Sequence, residues 1–473
     1  MREATRFGSA CPQPSLTGAV AALARIKRTG RLFLDVIGEL GAPTGEACLS
    51  LNVWTPSPDP AAKLPVLVFI HGGSLDAGAG SQPIYNGAGL AQTGLVVVTI
   101  NYRLGALGFV GGDELFGQKD PAGIGVANRG FLDQVAALGW IHDNIAAFGG
   151  DPDLVTVSGE SAGAVSALAM MTTPAAKGLI RRVISFSGGP LAYPHDDCQA
   201  LARDWLAFIG VKSADDLVGL TDAAIFGARP ALQTFFLRHA KRYGALGADH
   251  LGHLVAATGT ELFPDPPLDY IRAGRAKGID LLIGTLADEG RLWSITNPLP
   301  DALAARMMFQ LFGGMMNPRD KPAETLRAYK AAMPGANGRA VRERAMCDAL
   351  FRKPSTQVAA AMAAAEPGHA FLYRYDWPSP ALNGAFGALH GLDIAGIFQT
   401  YRAMAPLVGP EAGARPAGDA LHAAVVSFVK TGQPAIPGAP AWPAYDSAAK
   451  SNMNINRTCE VRKDIDAAFE PIW

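Results

Sequence analysis

The sequence lacks long apolar runs, an excess of charge of either sign and closely spaced cysteines. Its 473 residues include 41 basic and 42 acidic side chains, which give a formal net charge of −1. Nucleic acids and anionic membranes bind basic surfaces, so the composition gives no reason to expect either as a partner. The apolar runs, such as Val66 to Ile70, have the length of strands, and none approaches the roughly 18 to 20 residues that cross a bilayer. We therefore expect a soluble globular protein with no integral membrane association.

Patterns typical of metal sites and disulfide scaffolds are absent as well. None of the five cysteines belongs to a Cys-x-x-Cys pair, the usual mark of a zinc site. His250 and His253 are three residues apart, but two solvated histidines explain this spacing better than a ligand pair does. The sequence therefore predicts no metal and no cofactor.

Short apolar runs alternate with longer segments of helical composition. Continuous apolar runs are typical of strands buried on both faces of a parallel sheet. Between them, Phe131 to Ala147 carries apolar residues at helical spacing. This alternation predicts an α/β fold with a mostly parallel central sheet and helices on both faces. The predicted strands are Val66 to Ile70, Leu95 to Ile100, Leu154 to Ser158, Arg182 to Ser187, Leu281 to Gly284 and Ala370 to Tyr375.

Two long insertions, at about residues 191–262 and 292–365, interrupt this alternation with sequence rich in Ala, Leu and Arg. No Gly/Ser-rich or Pro-rich linker separates independent units. We therefore expect a single domain over residues 1–473, in which the two insertions form helical caps over one end of the sheet.

Gly159-Glu160-Ser161-Ala162-Gly163 is a Gly-x-Ser-x-Gly motif. An apolar run precedes it and helix-forming sequence follows it, which is the strand–turn–helix setting of a nucleophile elbow. Glycine on both sides of the serine permits a tight turn and a close approach of the following helix to the strand. The motif in this setting predicts that Ser161 is a nucleophile at the carboxyl edge of the sheet.

A glycine-rich segment, His71-Gly72-Gly73-Ser74, follows the first predicted strand and precedes the serine motif. Esterases place an oxyanion loop of the His-Gly-Gly-x type at this point of the chain. Its glycines let backbone N–H groups converge where a tetrahedral intermediate carries negative charge. An ordinary turn after a strand is the alternative, and it fits less well because the elbow follows in the expected order.

A serine nucleophile needs a general base, and histidine has the pKa best suited to that role near neutral pH. In this fold class the chain order is serine, acid, histidine, so the base belongs to the last third of the chain. Of the three histidines there, His369 opens a predicted strand and His422 lies in helical sequence, so both have simpler structural interpretations. His390 lies among small residues typical of a loop and is the predicted base.

The acid that holds the other imidazole nitrogen is expected just after a strand, at the same edge of the sheet. Asp288-Glu289-Gly290 follows the predicted strand Leu281 to Gly284 and supplies two candidates. Spacing alone does not distinguish Asp288 from Glu289, and either carboxylate could instead be an exposed loop charge.

Five motifs spread along nearly the whole chain occur together in one enzyme family. They are Phe148-Gly149-Gly150-Asp151-Pro152 with the serine motif, Asn101-Tyr102-Arg103-Leu104-Gly105, Leu132-Asp133-Gln134, Asp288-Glu289-Gly290, and Leu389-His390-Gly391-Leu392-Asp393. In these motifs the chain resembles the type-B carboxylesterases, the cholinesterase and para-nitrobenzyl esterase group. The resemblance implies the α/β-hydrolase fold and the hydrolysis of carboxylic esters through an acyl-enzyme.

The resemblance also implies a role for particular residues. Matched motif by motif, Ser161 is the nucleophile, Glu289 is the acid and His390 is the base. Glu289 is preferred to Asp288 here because the family's acid is the second member of its Asp-Glu-Gly. Ser187 matches a serine that lies beside the triad in the family.

The oxyanion donors of the family match the backbone N–H groups of Gly73, Ser74 and Ala162. Ser74 stands where the family usually has glycine or alanine. This change leaves the backbone donor in place, because the N–H group does not depend on the side chain.

The start of the chain departs from the family. Cys11 and Cys48 match the two ends of a family disulfide, which would form in an oxidising compartment; two reduced thiols are the alternative. Family members usually carry further sequence, including early strands, ahead of the region that begins here at Ala4. We therefore expect those strands to be missing from this chain, either because the start codon was assigned late or because they are truly absent. The chain begins without the apolar stretch of a signal peptide, and its localisation stays open, with an extracytoplasmic location if the start is truncated.

The substrate expectation also comes from the Cys11–Cys48 region. Cholinesterases bind a quaternary ammonium with a tryptophan in this loop, whereas Phe33 is the only aromatic residue between the two cysteines. We therefore expect uncharged, moderately apolar carboxylic esters. The alternatives are a non-catalytic adhesion module, or another hydrolase on the same scaffold: a lipase, a lactonase or a hydrolase of a toxin or pesticide ester.

Overall fold

A nine-stranded sheet, in the order β1-β3-β2-β4-β5-β8-β9-β10-β11, runs through the computed structural model. The structure describes residues 4–13, 28–109, 128–208, 210–212, 216, 256–296 and 322–473. Neighbouring strands from β3 to β10 are parallel, and β1 and β11 pair antiparallel at the two edges. The strands are β1 Leu51–Trp54, β2 Leu64–Ile70, β3 Val96–Ile100, β4 Gly150–Glu160, β5 Arg182–Phe186, β6 Ala192–Pro194, β7 Ala256–Thr258, β8 Asp280–Leu286, β9 Ala370–Tyr375, β10 Ser451–Ile455 and β11 Glu460–Lys463.

Helices pack against both faces of this sheet. The predicted helix over Phe131 to Ala147 is confirmed as Arg129–Asn144 followed by a 3₁₀ turn, Ile145–Phe148. The other α-helices are Arg28–Ile37, Ala88–Ala91, Gly105–Phe109, Ala162–Thr172, His195–Phe208, Pro267–Arg272, Arg291–Thr296, Pro322–Ala332, Gly338–Cys347, Lys353–Ala365, Ala381–Gly384, Ile394–Ile397, Ala405–Val408 and Glu411–Thr431. A π-helical turn, Asp348–Arg352, joins two of them.

The six predicted strands are confirmed as β2, β3, β4, β5, β8 and β9, with ends that differ by a few residues. Two hydrophobic clusters separate along the two faces of the sheet, because successive side chains of a strand point to opposite sides. Val66 and Val68 of β2 belong to one cluster, and Leu67 and Phe69 belong to the other. Burial on both faces explains why these strands have continuously apolar sequence.

Much of the two predicted insertions lies outside the described residues. In the first insertion, the described part contains the helix His195–Phe208 and, unlike the helical prediction, the short parallel pair β6 and β7. In the second, the described residues form helices and the π-helical turn. Among the described residues, no helix combines the length and the apolar content that a bilayer crossing requires.

The topology brings the predicted motifs to one edge of the sheet. Strands β2, β4 and β8 are parallel within the sheet, so the segments that follow them emerge on the same side. These segments begin at His71, Ser161 and Ala287, and they carry the predicted oxyanion loop, nucleophile and acid.

Candidate active site

Ser161 occupies the turn between β4 and the helix Ala162–Thr172. Its backbone has φ 58° and ψ −122°, a conformation that is unfavourable for a residue with a side chain. The turn is fixed at both ends: Ser161 N donates to Phe186 O at 2.9 Å, and Ala164 N donates to Ser161 O at 2.9 Å. This is the geometry of the predicted elbow.

Two glycines make the elbow possible. A Cβ atom on Gly163 would lie 1.9 Å from the carbonyl oxygen of Ile70, so only glycine allows the helix to approach β2 this closely. A Cβ atom on Gly159 would lie 2.2 Å from the backbone of Gly163. The two glycines of the motif are therefore required by backbone packing around Ser161.

His390 lies in a loop and contacts the acid predicted from the family pattern. Its Nδ1 is 2.5 Å from Oε2 of Glu289, a carboxylate that is fully buried. The other oxygen of Glu289 accepts a hydrogen bond from Leu286 N at 2.8 Å, which fixes the carboxylate at the end of β8. The neighbouring Asp288 instead pairs with Arg291 at 3.1 Å and accepts from Ala388 N at 2.9 Å.

A second carboxylate reaches the opposite nitrogen of the same imidazole. Oε1 of Glu160, the residue before Ser161, is 3.2 Å from Nε2 of His390. Burial by itself lowers the pKa of His390, but the negative charges of Glu160 and Glu289 outweigh it and raise the pKa to about 9. Burial raises the pKa of Glu160 to about 7, with His390 opposing the shift and Glu289 adding to it.

Asp393 adds a third carboxyl group that interacts electrostatically with His390. It is fully buried, and burial together with the charges of Glu160 and Glu289 raises its pKa well above the usual range. Like charges in a low-dielectric environment disfavour one another's ionisation. Asp393 is therefore held in its protonated form more strongly than an exposed aspartate.

The predicted oxyanion loop has an irregular backbone. Gly73, Ser74 and Leu75 have φ values of 107°, 61° and 57°. The loop folds back on itself, since Asp76 N and Ala77 N both donate to Gly73 O, at 3.1 and 3.0 Å. His71 stacks on Tyr102, and burial lowers its pKa to about 4, so its imidazole is neutral and structural.

One cavity of about 680 Å³ is lined by most of the predicted site residues, with Glu289 behind His390 rather than on the cavity wall. Its lining includes all three oxyanion candidates and Ser187, together with Ser161 and His390. Ser187 is fully buried, with φ 59°. Apolar side chains from distant parts of the chain form much of the wall, including Phe33, Leu191, Leu268, Leu292, Leu350 and Met404.

Three residues at the site had no role in the sequence interpretation. Glu160 and Asp393 lie inside quoted motifs, but nothing along the chain indicates that their carboxyl groups surround His390. Phe351, in the π-helical turn, has its ring centroid 4.7 Å from that of His390. A π-helical turn is common at functional sites, yet its position could not be read from the sequence.

The remaining candidates lie elsewhere. His369 Nδ1 contacts Asp280 at 2.7 Å, and His422 Nδ1 contacts the carbonyl oxygen of Ile397 at 2.9 Å. His250 and His253 lie outside the described residues. Within the described ranges no group of three or more His, Cys, Asp or Glu side chains has an arrangement that could hold a metal ion. Cys11 and Cys48 are joined in a disulfide.

Comparisons with known proteins show the family to which the chain belongs. The model of the carboxylesterase family matches residues 1–473. The chain is 31% identical to the para-nitrobenzyl esterase of Bacillus subtilis (strain 168), over 98% of this chain and 86% of that protein. It is also 31% identical to the phenmedipham hydrolase of Pseudarthrobacter oxydans, over 94% of this chain and 83% of that protein.

A solved structure extends the similarity to the backbone. The carboxylesterase of Geobacillus stearothermophilus superposes with a TM-score of 0.75 and 32% identity, over 91% of this chain and 86% of that chain. The fold, the family match and these relatives agree along almost the full length of the chain. The protein therefore belongs to the carboxylesterase family, has the α/β-hydrolase fold and is a carboxylic ester hydrolase.

Proposed function

We propose that this protein is a serine carboxylesterase that hydrolyses uncharged carboxylic esters through a Ser161–His390–Glu289 triad and an acyl-enzyme intermediate. The observation that carries the proposal is the contact of 2.5 Å between His390 Nδ1 and Glu289 Oε2, on a histidine that lines the same cavity as Ser161. Glu289 orients the imidazole and stabilises the imidazolium that forms during the reaction.

In the acylation half-reaction, Nε2 of His390 takes the proton of the Ser161 hydroxyl as its oxygen attacks the ester carbonyl carbon. The tetrahedral intermediate carries its negative charge on the former carbonyl oxygen. When the intermediate collapses, the imidazolium returns the proton to the departing alcohol oxygen, and the acyl group remains on Ser161.

In the deacylation half-reaction, the same imidazole removes a proton from a water molecule, which attacks the acyl carbon. Collapse of the second tetrahedral intermediate breaks the acyl–oxygen bond to Ser161, and His390 returns the proton to the serine. The carboxylic acid leaves, and the free enzyme is restored without a metal or a cofactor.

The N–H groups of Gly73, Ser74 and Ala162 are the proposed donors to the oxyanion. Support comes from their common position on the cavity next to Ser161, and from the location of Ala162 at the first residue of a helix, where N–H groups have no partner within the helix. Ser187 is a proposed support beside the triad.

The apolar cavity wall favours a moderately apolar ester. In our proposal the chain forms a single domain over residues 1–473, with the insertions at 191–262 and 292–365 as caps. Leu191, Leu292 and Leu350 of these insertions line the cavity, so the caps would set the acyl and alcohol preference.

Replacement of the nucleophile tests this function directly. Ser161→Ala should lower kcat on p-nitrophenyl butyrate by on the order of 10⁴-fold or more. Ser158→Ala is the matched control, because Ser158 is a buried serine on β4 whose hydroxyl bonds to Val68 O at 2.9 Å. A fluorophosphonate probe should label the control and not Ser161→Ala. Substantial turnover by Ser161→Ala would refute the assignment, and an unlabelled wild-type protein would favour an adhesion module.

A further inference from the structure

The oxyanion loop depends on support from outside itself. Gly73, Ser74 and Leu75 have positive φ in succession, so this part of the loop belongs to no regular helix or strand. Its internal backbone–backbone hydrogen bonds converge on a single acceptor, the carbonyl oxygen of Gly73, and the imidazole of His71 adds one side-chain contact with Gly72 O at 2.8 Å. A loop with so little internal bonding keeps a defined geometry only if neighbouring groups hold it.

Gln13 supplies such a contact from 65 residues away in the sequence. Its Nε2 donates to the carbonyl oxygen of Gly78 at 2.8 Å, and Gly78 N donates to its Oε1 at 2.7 Å. The side chain is buried, with 7% exposure, so these bonds are made away from solvent. The reciprocal pair fixes Gly78 on the loop in both position and orientation, since donor and acceptor are both engaged.

Gln13 is itself held in place. Its Nε2 also donates to the carbonyl oxygen of Cys11 at 3.0 Å, and Cys11 is bonded to Cys48. Next to the disulfide, Ala10 N donates to Pro43 O at 2.9 Å, and Gly45 N donates to Ala10 O at 2.9 Å. The segment that carries Gln13 is therefore attached to the domain by a covalent bond and by backbone hydrogen bonds.

Gly78 is linked through its neighbour Ala77 to Gly73, one of the proposed oxyanion donors. Ala77, next to Gly78, donates its N–H to Gly73 O, and a Cβ atom on Gly73 would lie 2.1 Å from the carbonyl oxygen of Ala77. A Cβ atom on Gly78 would in turn lie 2.6 Å from the carbonyl oxygen of Gly72, so both ends of this segment pack tightly against the loop. A shift of Gly78 would be transmitted to the N–H groups of Gly73 and Ser74.

We propose that Gln13 is a positioning residue for the oxyanion hole, which holds the loop in the geometry that binds the tetrahedral intermediate, and that the Cys11–Cys48 disulfide keeps Gln13 in place. The inference rests on the proposed function, because it concerns the donors of the same site. Donors to an oxyanion act mainly in the transition state, so a loosened loop should lower kcat more than it changes KM.

Gln13→Met tests the proposal, because methionine has a similar length and makes neither bond to Gly78. We expect kcat on p-nitrophenyl butyrate to fall by about 10-fold, with KM changed by less than about 2-fold. An aryl trifluoromethyl ketone forms a tetrahedral oxyanion on the serine, and its inhibition constant should rise by the same factor as kcat/KM falls. The double variant Cys11→Ser with Cys48→Ser should change kcat in the same direction by a smaller factor.

Asn128 provides a matched control. Its side chain makes the same reciprocal pair with another backbone residue, donating to Ala257 O at 3.1 Å and accepting from Ala257 N at 2.9 Å, and it is also buried. Asn128→Leu should lower the melting temperature as Gln13→Met does, and leave kcat and the inhibition constant unchanged. If Gln13→Met does not fold, Gln13→Glu keeps the bond from Gly78 N, loses the one to Gly78 O, and should show the same loss of kcat.

A lower melting temperature for the Gln13 variants with unchanged kcat and inhibition constant would overturn the proposal and leave Gln13 with a structural role. A different result, turnover by Ser161→Ala, would contradict the proposed function. If Ser161→Ala is inactive and the Gln13 variants turn over normally, the triad stands and only the positioning role is wrong.

Discussion

A histidine–carboxylate pair lies at each end of strand β8. Asp280, at its first residue, lies 2.7 Å from Nδ1 of His369. Glu289, just after its last residue, lies 2.5 Å from Nδ1 of His390. Each pair joins Nδ1 of a histidine to a carboxylate oxygen at a similar distance, and the two pairs lie at opposite ends of one strand. We assign catalysis to the second pair alone.

The surroundings of the two pairs are different. The side chain of His369 is 35% exposed, and Asp280 also contacts Nε of Arg182 at 3.3 Å, so its charge is compensated. The side chain of His390 is 8% exposed, and Glu160 lies at its other nitrogen. A contact between histidine and carboxylate is therefore not by itself an active site. What distinguishes the second pair is burial beside a cavity, an excess of negative charge and Ser161 on the same wall.

The largest expected difference between the two pairs comes from replacing the histidine of each. His390→Ala should lower kcat by on the order of 10⁴-fold or more, because the base is lost. His369→Ala should keep most of the activity and lower the free energy of unfolding by about 1 kcal/mol, since a partly exposed pair is removed. Esterase assays and urea unfolding measure the two quantities. Comparable losses of kcat in both variants would show that the two pairs do not differ in role.

The next largest expected difference comes from replacing the carboxylate of each histidine–carboxylate pair. Glu289→Gln should lower kcat by about 10³- to 10⁴-fold, because the amide no longer stabilises the imidazolium. Asp280→Asn should retain activity and lose stability, since the buried side chain of Arg182 loses its anionic partner. Steady-state kinetics with p-nitrophenyl butyrate and thermal unfolding compare them.

Asp288→Asn adds a control one residue from Glu289. It removes the ion pair with Arg291 and should leave kcat close to that of the wild type. If Asp288→Asn were as inactive as Glu289→Gln, the acid would be misassigned.

The smallest expected effect is a shift in the pH dependence of kcat/KM, caused by the second carboxylate beside a histidine. Glu160 lies 3.2 Å from Nε2 of His390, and Glu366 lies 3.8 Å from Nε2 of His369. Only neutral His390 accepts a proton, and its pKa is raised to about 9, so kcat/KM should rise with pH into the alkaline range. Glu160→Gln removes a negative charge that favours the imidazolium, so the rising limb should move to lower pH by about one unit.

The pH dependence of kcat/KM measures this shift. Glu366→Gln is the control, and its profile should superpose on that of the wild type because its charge lies beside the other histidine. An unchanged profile for Glu160→Gln, or a shift to higher pH, would contradict the role of Glu160 in setting the pKa of His390.

The sequence predicted the central strands more completely than the edges. Strand β10, Ser451–Ile455, was missed because Asn452 and Asn454 give it a polar sequence. Both asparagines are nevertheless buried, and Asn452 accepts a hydrogen bond from Arg352 Nη2 at 3.0 Å. A polar strand in the core needs partners from distant parts of the chain, and periodicity along the strand carries no information about them.

The elbow around Ser161 could be predicted from the sequence alone, because its constraints are local. Gly159 and Gly163 are adjacent to the serine along the chain, and the absence of a Cβ atom at each is visible in the residue type. Chain order and the small residues around it predicted His390 as the base. Resemblance to a family then selected Glu289, although the spacing of the residues left Asp288 equally possible.

How the separate loops meet depends on the assembled fold. His390 and Glu289 are 101 residues apart, and Gln13 and Gly78 are 65 apart. The contact of Glu160 with the imidazole follows from the same assembly, as does the burial that raises the pKa of Glu160. These distances depend on how the strands order themselves in the sheet and on the packing of both its faces, so no short stretch of sequence contains them.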